Sequence, residues 1–164
     1  METQIIDNAL SSEEFEKIQK AMMSDQFPWF YNNQIAGKDS LVDTVEDNYY
    51  FVHTFYNRYL PTNTFSLVVS LMSLIKPNAI IRVKANLYLR TEKIVHHDKH
   101  IDFPFETKGA ILYINTNNGL TILEDGTECK SVANRLLLFD ASKPHHSTTC
   151  TDQKRRININ VNFS

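Results

Sequence analysis

The hydrophobic pattern in the first half of the chain contains two stretches with helical spacing. The first follows Ser11 and Glu14, which match a capping box, and its apolar residues recur at every third or fourth position. This pattern predicts a helix over residues 12–24. A second helix, which Asn63 or Thr64 can cap, has apolar residues at similar intervals and ends before the next proline. We therefore expect two amphipathic helices ahead of a part of the chain that is not helical.

From residue 79 onward the apolar residues alternate with polar ones or form short runs, as they do in β-strands. An aromatic run before this point is also β-prone. The predicted strands cover residues 49–56, 80–89, 108–115, 120–123, 135–140, a segment around 145–149, and 156–163. The polar stretch 32–48 is expected to be a surface loop or a weakly paired edge.

Short antiparallel strands preceded by two helices predict a mostly β, α+β fold. We expect a double-stranded β-helix, or jelly-roll barrel, with the two N-terminal helices packed on one sheet. The chain has 164 residues, which suits one domain. In this interpretation residues 1–164 form a single domain, with 1–78 as helical and loop support and 79–164 as the jelly-roll core.

The last predicted strand has two chemically different faces. Its apolar face consists of Ile157, Ile159, Val161 and Phe163, and its polar face consists of Arg156, Asn158, Asn160 and Asn162. The apolar face must be buried, and the two helices can cover it. Asparagine is a poor β-former, so a row of asparagines indicates a polar, water-containing pocket. On this basis we expect Arg156 to point into the barrel and Arg155 to point outward.

Composition narrows the class of protein. A net charge of −2 and a pI near 6.3 argue against nucleic acid as a partner. No apolar run approaches the length of a membrane span, and the N-terminal residues lack the pattern of a signal peptide, so we expect a cytoplasmic protein. Cys129 and Cys150 are then expected to be free thiols. The expected partner is a small molecule or a peptide, and the oligomeric state stays open.

The candidate chemistry lies in the pattern His100-Ile-Asp102, followed by His145 and then Arg156. Two imidazoles and one carboxylate can bind one face of an octahedral Fe(II) and leave the other positions open. An arginine on the last strand can provide a fixed cation for a dicarboxylate co-substrate. Two alternatives arise within the sequence, because His96 and Asp98 form a second pair of the same spacing and His146 is adjacent to His145. A zinc site is also compatible with two histidines and an aspartate.

Residues 79–164 resemble the Fe(II)/2-oxoglutarate-dependent oxygenases of the prolyl 4-hydroxylase-like branch, in the short single-domain form met in phages and marine bacteria. The stretches that carry the resemblance are RVKANLY at 82–88, HIDFP at 100–104, AILYIN at 110–115, LFD at 138–140 with the following histidine, and RININ at 156–160. The resemblance implies that His100, Asp102 and His145 are the metal ligands and that Arg156 binds the C5 carboxylate of 2-oxoglutarate. It also implies that Tyr88 and Tyr113 help to hold this co-substrate. The spacing within the family favours these histidines over the alternatives.

The function implied by the resemblance is that of a dioxygenase with Fe(II), 2-oxoglutarate and O2 as cofactors and co-substrates. It would hydroxylate a substrate and release succinate and CO2 from a catalytic core at residues 79–164. A prolyl or other peptidyl residue is the substrate class of this branch, while the sequence itself does not identify the substrate. Two rival functions are a non-enzymatic jelly-roll binding module and a cupin-like metalloprotein with no 2-oxo acid. Asp140 either orients a ligand histidine or stabilises a turn.

Overall fold

The computed structural model of the protein describes residues 1–33 and 49–164. The predicted surface loop at 32–48 therefore lies almost entirely outside the described residues. The strands are β1 Gln4–Ile6, β2 Phe30–Asn32, β3 Tyr50–Asn57, β4 Leu60–Pro61, β5 Ile80–Leu89, β6 Lys108–Tyr113, β7 Leu120–Leu123, β8 Glu128–Lys130, β9 Leu136–Asp140, β10 His145–Ser147 and β11 Arg155–Phe163. The helices are α1 Ser12–Met23 and α2 Val69–Ile75, the latter preceded by a 3₁₀ turn at Phe65–Val68.

Two antiparallel sheets form the barrel. The larger sheet has the strand order β1-β9-β6-β11-β5-β3-β2, with β4 paired to β3, and the smaller has the order β10-β7-β8. Isolated bridges extend the smaller sheet, because His96 pairs with Thr148 and His100 pairs with His145. This arrangement confirms the predicted jelly-roll architecture.

The first helix forms as its sequence predicts, whereas the second begins differently. Ser11 accepts a hydrogen bond from the Glu14 amide, which is one half of the predicted capping box, and its hydroxyl donates to the Glu14 carboxylate. The predicted cap of the second helix is wrong, because Thr64 makes no side-chain bond to the helix. Its hydroxyl lies 2.6 Å from Nε2 of His53 instead. Without a cap, the segment opens as a 3₁₀ turn before it becomes α-helical.

The central strand β11 separates the core from the interior of the barrel. The apolar side chains on one face of β11 join a cluster with residues of both helices, including Ile18, Met22 and Leu71, so the helices cover this sheet as predicted. Arg156, Asn158, Asn160 and Asn162 are buried on the opposite face. A second, smaller apolar cluster lies between the two sheets.

Most predicted strands agree with the structure to within one or two residues. Those that were not predicted, β1, β2, β4 and β8, are two or three residues long and too short for a hydrophobic period to be visible. Cys129 and Cys150 are free and buried. Among the described residues, no helix has both the length and the apolar character needed to cross a membrane.

Candidate metal centre

The two histidines of the predicted triad are brought together by backbone pairing. The segment between β5 and β6 runs antiparallel to β10, and His100 and His145 exchange both of their backbone hydrogen bonds, at 3.0 and 2.9 Å. As a direct result their rings lie 4.7 Å apart between centroids. Asp102 is fixed by its amide, which donates to the Ala141 carbonyl at 3.1 Å.

The donor atoms of the triad face one another. His100, Asp102 and His145 each offer a ligand atom, and these atoms lie within 4.8 Å of one another. The Nε2 atoms of His100 and His145 are 4.0 and 3.8 Å from oxygens of Asp102. Nδ1 of His100 lies 3.2 Å from the Asp98 carbonyl, and Nδ1 of His145 lies 2.9 Å from the Lys143 carbonyl. Carbonyls accept from protonated Nδ1 atoms, which leaves the Nε2 lone pairs directed into the triad.

The protonation states suit metal binding. Burial and the neighbouring His145 lower the pKa of His100, which favours its neutral form. Burial acts to raise the pKa of Asp102, but the guanidinium of Arg82, the His145 ring and the amide of Asn162 outweigh it, and the pKa lies below its ordinary value. Asp102 is therefore held as an ionised carboxylate, and His100 beside it is held in its neutral form.

Three side chains hold the carboxylate of Asp102 in place. Arg82 donates from Nη2 to Oδ1 at 2.9 Å, and Asn162 donates to Oδ2 at 2.8 Å. Asn160 adds a longer contact of 3.3 Å to Oδ2. Arg82 is itself anchored, because its Nε and Nη2 atoms donate to the Asn162 side-chain oxygen. These contacts orient a ligand from outside the triad, a role on which metal affinity commonly depends.

Arg156 lies in the interior with no exposed surface. Its Nε atom donates to Ser131 at 2.8 Å and its Nη2 atom donates to Thr121 at 3.1 Å. Its Nη1 atom is buried and has no partner in the described structure. The rings of Tyr88 and Tyr113 lie 5.4 and 5.7 Å from the centre of the guanidinium. A buried guanidinium with one unused donor group is suited to an anionic ligand, because burying a cation without a partner is costly.

The close approach of the backbone to Arg156 explains a glycine in the turn before β7. A Cβ atom on Gly119 would lie 2.5 Å from Cδ of Arg156 and 2.8 Å from the Thr149 carbonyl oxygen. Both distances are too short for non-bonded atoms. Glycine at this position therefore leaves the space that the arginine stem occupies.

A small polar cavity of about 40 Å³ lies beside the two triad histidines and Thr121, the residue that accepts a hydrogen bond from Arg156. It is lined by Asn86, Tyr88, His100, Ile111, Thr121, His145, His146, Ser147, Asn158 and Asn160. The asparagine face of β11 therefore lines a polar pocket, as its sequence pattern indicates. A volume of this size holds a few water molecules.

Comparison with solved structures identifies the architecture. An oxidoreductase of the 2OG-Fe(II) oxygenase family from Burkholderia pseudomallei is 12% identical, with a TM-score of 0.71 over 99% of this chain and 84% of that one. A prolyl hydroxylase from Trichoplax adhaerens, in complex with a hypoxia inducible factor peptide fragment, is 16% identical, with a TM-score of 0.67 over 98% and 83%. The chain has the 2OG-Fe(II) oxygenase fold. No protein-family model and no curated protein sequence matches it.

Neighbours of this fold do not share one reaction. A non-heme alpha ketoglutarate dependent epimerase from nogalamycin biosynthesis is 12% identical to this chain, with a TM-score of 0.67 over 99% of this chain and 77% of that one. At such identities the likeness establishes the fold alone, and the chemistry has to be argued from the site.

In this 2OG-Fe(II) oxygenase fold, the alternative ligands His96, Asp98 and His146 lie outside the triad. His96 and His146 face each other, with Nδ1 of the former 3.4 Å from Nε2 of the latter. Asp98 is exposed, and it does not join them in any metal-binding group among the described residues. Asp140 stabilises a turn by accepting hydrogen bonds from the Ser142 amide and hydroxyl, and no bond between Asp140 and a histidine is found in the described structure.

Several residues of the site received no role from sequence reasoning. Arg82, Thr121 and Ser131 lie far from the triad or from Arg156 along the chain, and only the fold brings them into contact. A role for Arg82 could have been predicted from the sequence, because strand alternation places it on the same face of β5 as Tyr88. The asparagines of β11 were expected to line a pocket, but their bonds to Asp102 depend on the path of the loop that carries it.

Proposed function

We propose that this protein is an Fe(II)- and 2-oxoglutarate-dependent dioxygenase that hydroxylates its substrate and releases succinate and CO2. The observation that carries the proposal is the presence of two complementary sites in one barrel. One is a triad of two imidazoles and a carboxylate, and the other is the buried Arg156 with its unused Nη1 atom. A polar cavity is lined by His100 and His145 and also by Thr121, the hydrogen-bond acceptor of Arg156.

The triad residues fit a divalent first-row metal. His100 and His145 offer Nε2 lone pairs, and Asp102 offers a carboxylate oxygen, which is the facial ligand set of non-haem iron oxygenases. Three protein ligands leave positions open for other ligands. When bound, the iron supplies the oxidising chemistry, and the protein supplies binding, orientation and exclusion of water.

Arg156 fits the distal carboxylate of the co-substrate. Ser131 and Thr121 hold two of its nitrogens, so the remaining Nη1 group is oriented without the loss of further side-chain freedom. Burial raises the pKa of Tyr88 and of Tyr113, and both hydroxyls therefore stay protonated. The Tyr113 hydroxyl donates to Thr121, which positions the acceptor of the guanidinium. The cavity is smaller than 2-oxoglutarate, so binding requires the lining side chains to move apart.

For the substrate class we propose a prolyl residue in a peptide. A structural neighbour is a prolyl hydroxylase bound to a peptide fragment, which supports this choice. The neighbour that is an epimerase supports testing other substrates in parallel. The protein's own contribution would be to hold the reacting C–H bond beside the metal, at the open side of the triad.

The experiment that tests the proposal is metal analysis combined with 2-oxoglutarate turnover. We expect one metal ion per chain, and succinate formation that requires Fe(II) and 2-oxoglutarate and is stimulated by proline-containing peptides. A jelly-roll binding module would show neither metal nor succinate. A metalloprotein of the cupin type would bind metal without forming succinate, and either result would reject the proposal.

A further inference from the structure

The inner face of β5 has a cation that the proposed reaction does not use. Arg82, Lys84, Asn86 and Tyr88 alternate along this face. Lys84 is paired across the sheet with Asn160, whose amide contacts the ligand Asp102 at 3.3 Å. Directly paired residues of neighbouring strands point to the same side of a sheet. Lys84 therefore stands next to the candidate metal centre.

Among the described residues, none provides an acidic partner for the ammonium group of Lys84. Its Nζ atom lies 3.5 Å from the Tyr50 hydroxyl and 5.7 Å from the centre of the Tyr50 ring. No ion pair within the described part of the chain includes it. Burial and the charge of Arg82 lower its pKa to about 8, while Asp102 acts in the opposite direction. The side chain is thus still mainly a cation at neutral pH, held at a site that is unfavourable for it.

The other charges of the interior are matched. Arg82 is paired with Asp102, and Arg156 is matched by the distal carboxylate of 2-oxoglutarate in the proposed function. Arg82, Lys84, Arg156 and a divalent metal bring five positive charges, against three negative charges from Asp102 and 2-oxoglutarate, so the loaded site keeps an excess of positive charge. Of the three cations, Lys84 is the one for which neither a described residue nor 2-oxoglutarate provides an anion.

Lys84 and Arg156 lie beside different rings of one aromatic pair. Arg156 is paired with Tyr88, which lies four positions from Lys84 on β5, or roughly 13 Å at the usual rise of a strand. Tyr50 and Tyr88 stack between them, with ring centroids 5.6 Å apart and planes at 11°. Lys84 contacts the Tyr50 ring and Arg156 contacts the Tyr88 ring, so each cation lies at a different member of the pair. An anion at Lys84 is therefore a second ligand, on the other side of the aromatic pair from the 2-oxoglutarate site.

We propose that Lys84 binds a carboxylate of the substrate and thereby selects substrates that carry one close to the reacting C–H bond. This inference rests on the proposed function for the identity of the neighbouring ligand. A carboxylate at this place would form a charge-assisted hydrogen bond with Nζ and supply the charge that the site lacks. The carboxylate belongs to a free acid or to an acidic group of a peptide.

A direct test uses acetate as the probe and the Lys84 amine as the reporter. The protein, loaded with Zn(II) and 2-oxoglutarate to prevent turnover, is reductively ¹³C-methylated on its lysines, and the Lys84 signal is identified by its loss in Lys84→Arg. Acetate and acetamide are then titrated at constant ionic strength. We expect acetate to shift the Lys84 signal saturably and to raise its pKa. Acetamide should bind at least roughly tenfold more weakly, since it lacks the charge.

Lys130, which is exposed on β8, is the internal control and its signal should not respond. The inference is overturned if the Lys84 signal does not move, if acetamide or chloride moves it equally, or if formaldehyde fails to reach the amine. Repeating the titration without metal and 2-oxoglutarate separates the two proposals. A Lys84 that still binds acetate in a protein with no affinity for 2-oxoglutarate keeps the carboxylate site and rejects the proposed function.

Turnover then distinguishes the two sources of the carboxylate. Succinate formation is measured with free amino acids and their amides, and with proline peptides that contain Glu or Gln. One of these two series of compounds is expected to stimulate succinate formation. In that series, Lys84→Met should raise the half-saturating concentration of the acid by roughly ten- to a hundredfold and leave that of the amide unchanged. Lys84→Arg should restore most of the preference. A Lys84→Met variant that keeps the full preference for the acid would overturn the inference.

Discussion

The Nε2 atom of His145 lies 3.8 Å from an oxygen of Asp102, and Nδ1 of the same ring lies 2.9 Å from the Lys143 carbonyl. The carbonyl fixes the tautomer, so the free lone pair of the ring faces the carboxylate. The donor atoms of the two residues therefore face each other in the arrangement that the proposed metal site requires. It also distinguishes His145 from its neighbour His146, whose Nε2 atom faces His96.

Replacing a ligand should abolish metal binding, whereas replacing the adjacent histidine should not. We expect His145→Ala to weaken Fe(II) or Mn(II) binding by more than about a hundredfold, because removal of mere outer contacts already costs 10- to 100-fold. The matched control is His146→Ala, which should bind metal within a few-fold of the parent. Calorimetric titration with Mn(II) measures both. Equal losses in the two variants would show that the ligand assignment is wrong.

Arg82 should support metal binding through Asp102. Arg82→Met removes the cationic partner of a largely buried carboxylate, so we expect about a tenfold loss of metal affinity and a loss of roughly 1–3 kcal/mol in the free energy of unfolding of the metal-free protein. Arg135→Met, which breaks the more exposed pair with Asp7, is the control and should leave metal affinity unchanged. Metal titration and urea unfolding provide the two readouts. An unchanged metal affinity in Arg82→Met would reject the supporting role.

The parts of the fold that were predictable are those with a strong local pattern. Strand β5 matches its predicted bounds, and the two faces of β11 separate as their alternation requires. The orientation of Arg156 followed from the same alternation. The prediction of a helix cap at Thr64 is wrong, because its hydroxyl contacts His53 instead. Nothing in the sequence around Thr64 indicates this tertiary contact.

Within the site, residue types and spacing were enough to propose the ligands but not their supports. The triad was proposed from the short motif His100-Ile-Asp102 and the distant His145. In the structure, backbone pairing of His100 with His145 brings the two parts together. The contact between Arg82 and Asp102 arises from a loop that folds back over β5, and no period in the sequence predicts such a path. The same is true of Ser131, which meets Arg156 only because β8 ends beside it.

Acid should destabilise the protein partly through His97. Burial lowers its pKa to about 3, and its ring contacts Ser147 and Tyr88. Below the unfolded pKa of about 6.5, the unfolded chain takes up a proton that the folded protein does not. The free energy of unfolding should thus fall by roughly 1.4 kcal/mol per pH unit from this residue as the pH drops from about 6.5, and be constant above it.

Urea unfolding of the parent and of His97→Gln, at several pH values between 7 and 4, measures this contribution. The variant should lose stability less steeply than the parent, because other titrating groups contribute equally to both. Parallel curves for the two proteins would contradict the prediction.

Gly119→Ala should impair 2-oxoglutarate binding through Arg156. The added methyl group would lie 2.5 Å from Cδ of the arginine, which must move away from its place between Ser131 and Thr121. We expect at least about a tenfold loss of 2-oxoglutarate affinity with metal affinity retained. The matched control is Gly109→Ala, whose methyl group would meet the Phe139 ring at 2.6 Å and should lower stability but spare the affinity of the folded protein. Equal effects on 2-oxoglutarate binding would argue against a specific role for the turn.

The most direct measurement of the central claim is 2-oxoglutarate affinity in Arg156→Ala and Arg155→Ala, titrated into the Mn(II)-loaded proteins. The two arginines are adjacent, but Arg156 is buried in the barrel and Arg155 donates to the Met23 carbonyl on the helix side. We expect Arg156→Ala to bind 2-oxoglutarate roughly 10- to 150-fold more weakly with metal binding intact, since a charge-assisted hydrogen bond contributes about 1.5–3 kcal/mol. Arg155→Ala should bind it as the parent does. Unchanged affinity in Arg156→Ala, or a loss confined to Arg155→Ala, would contradict the account.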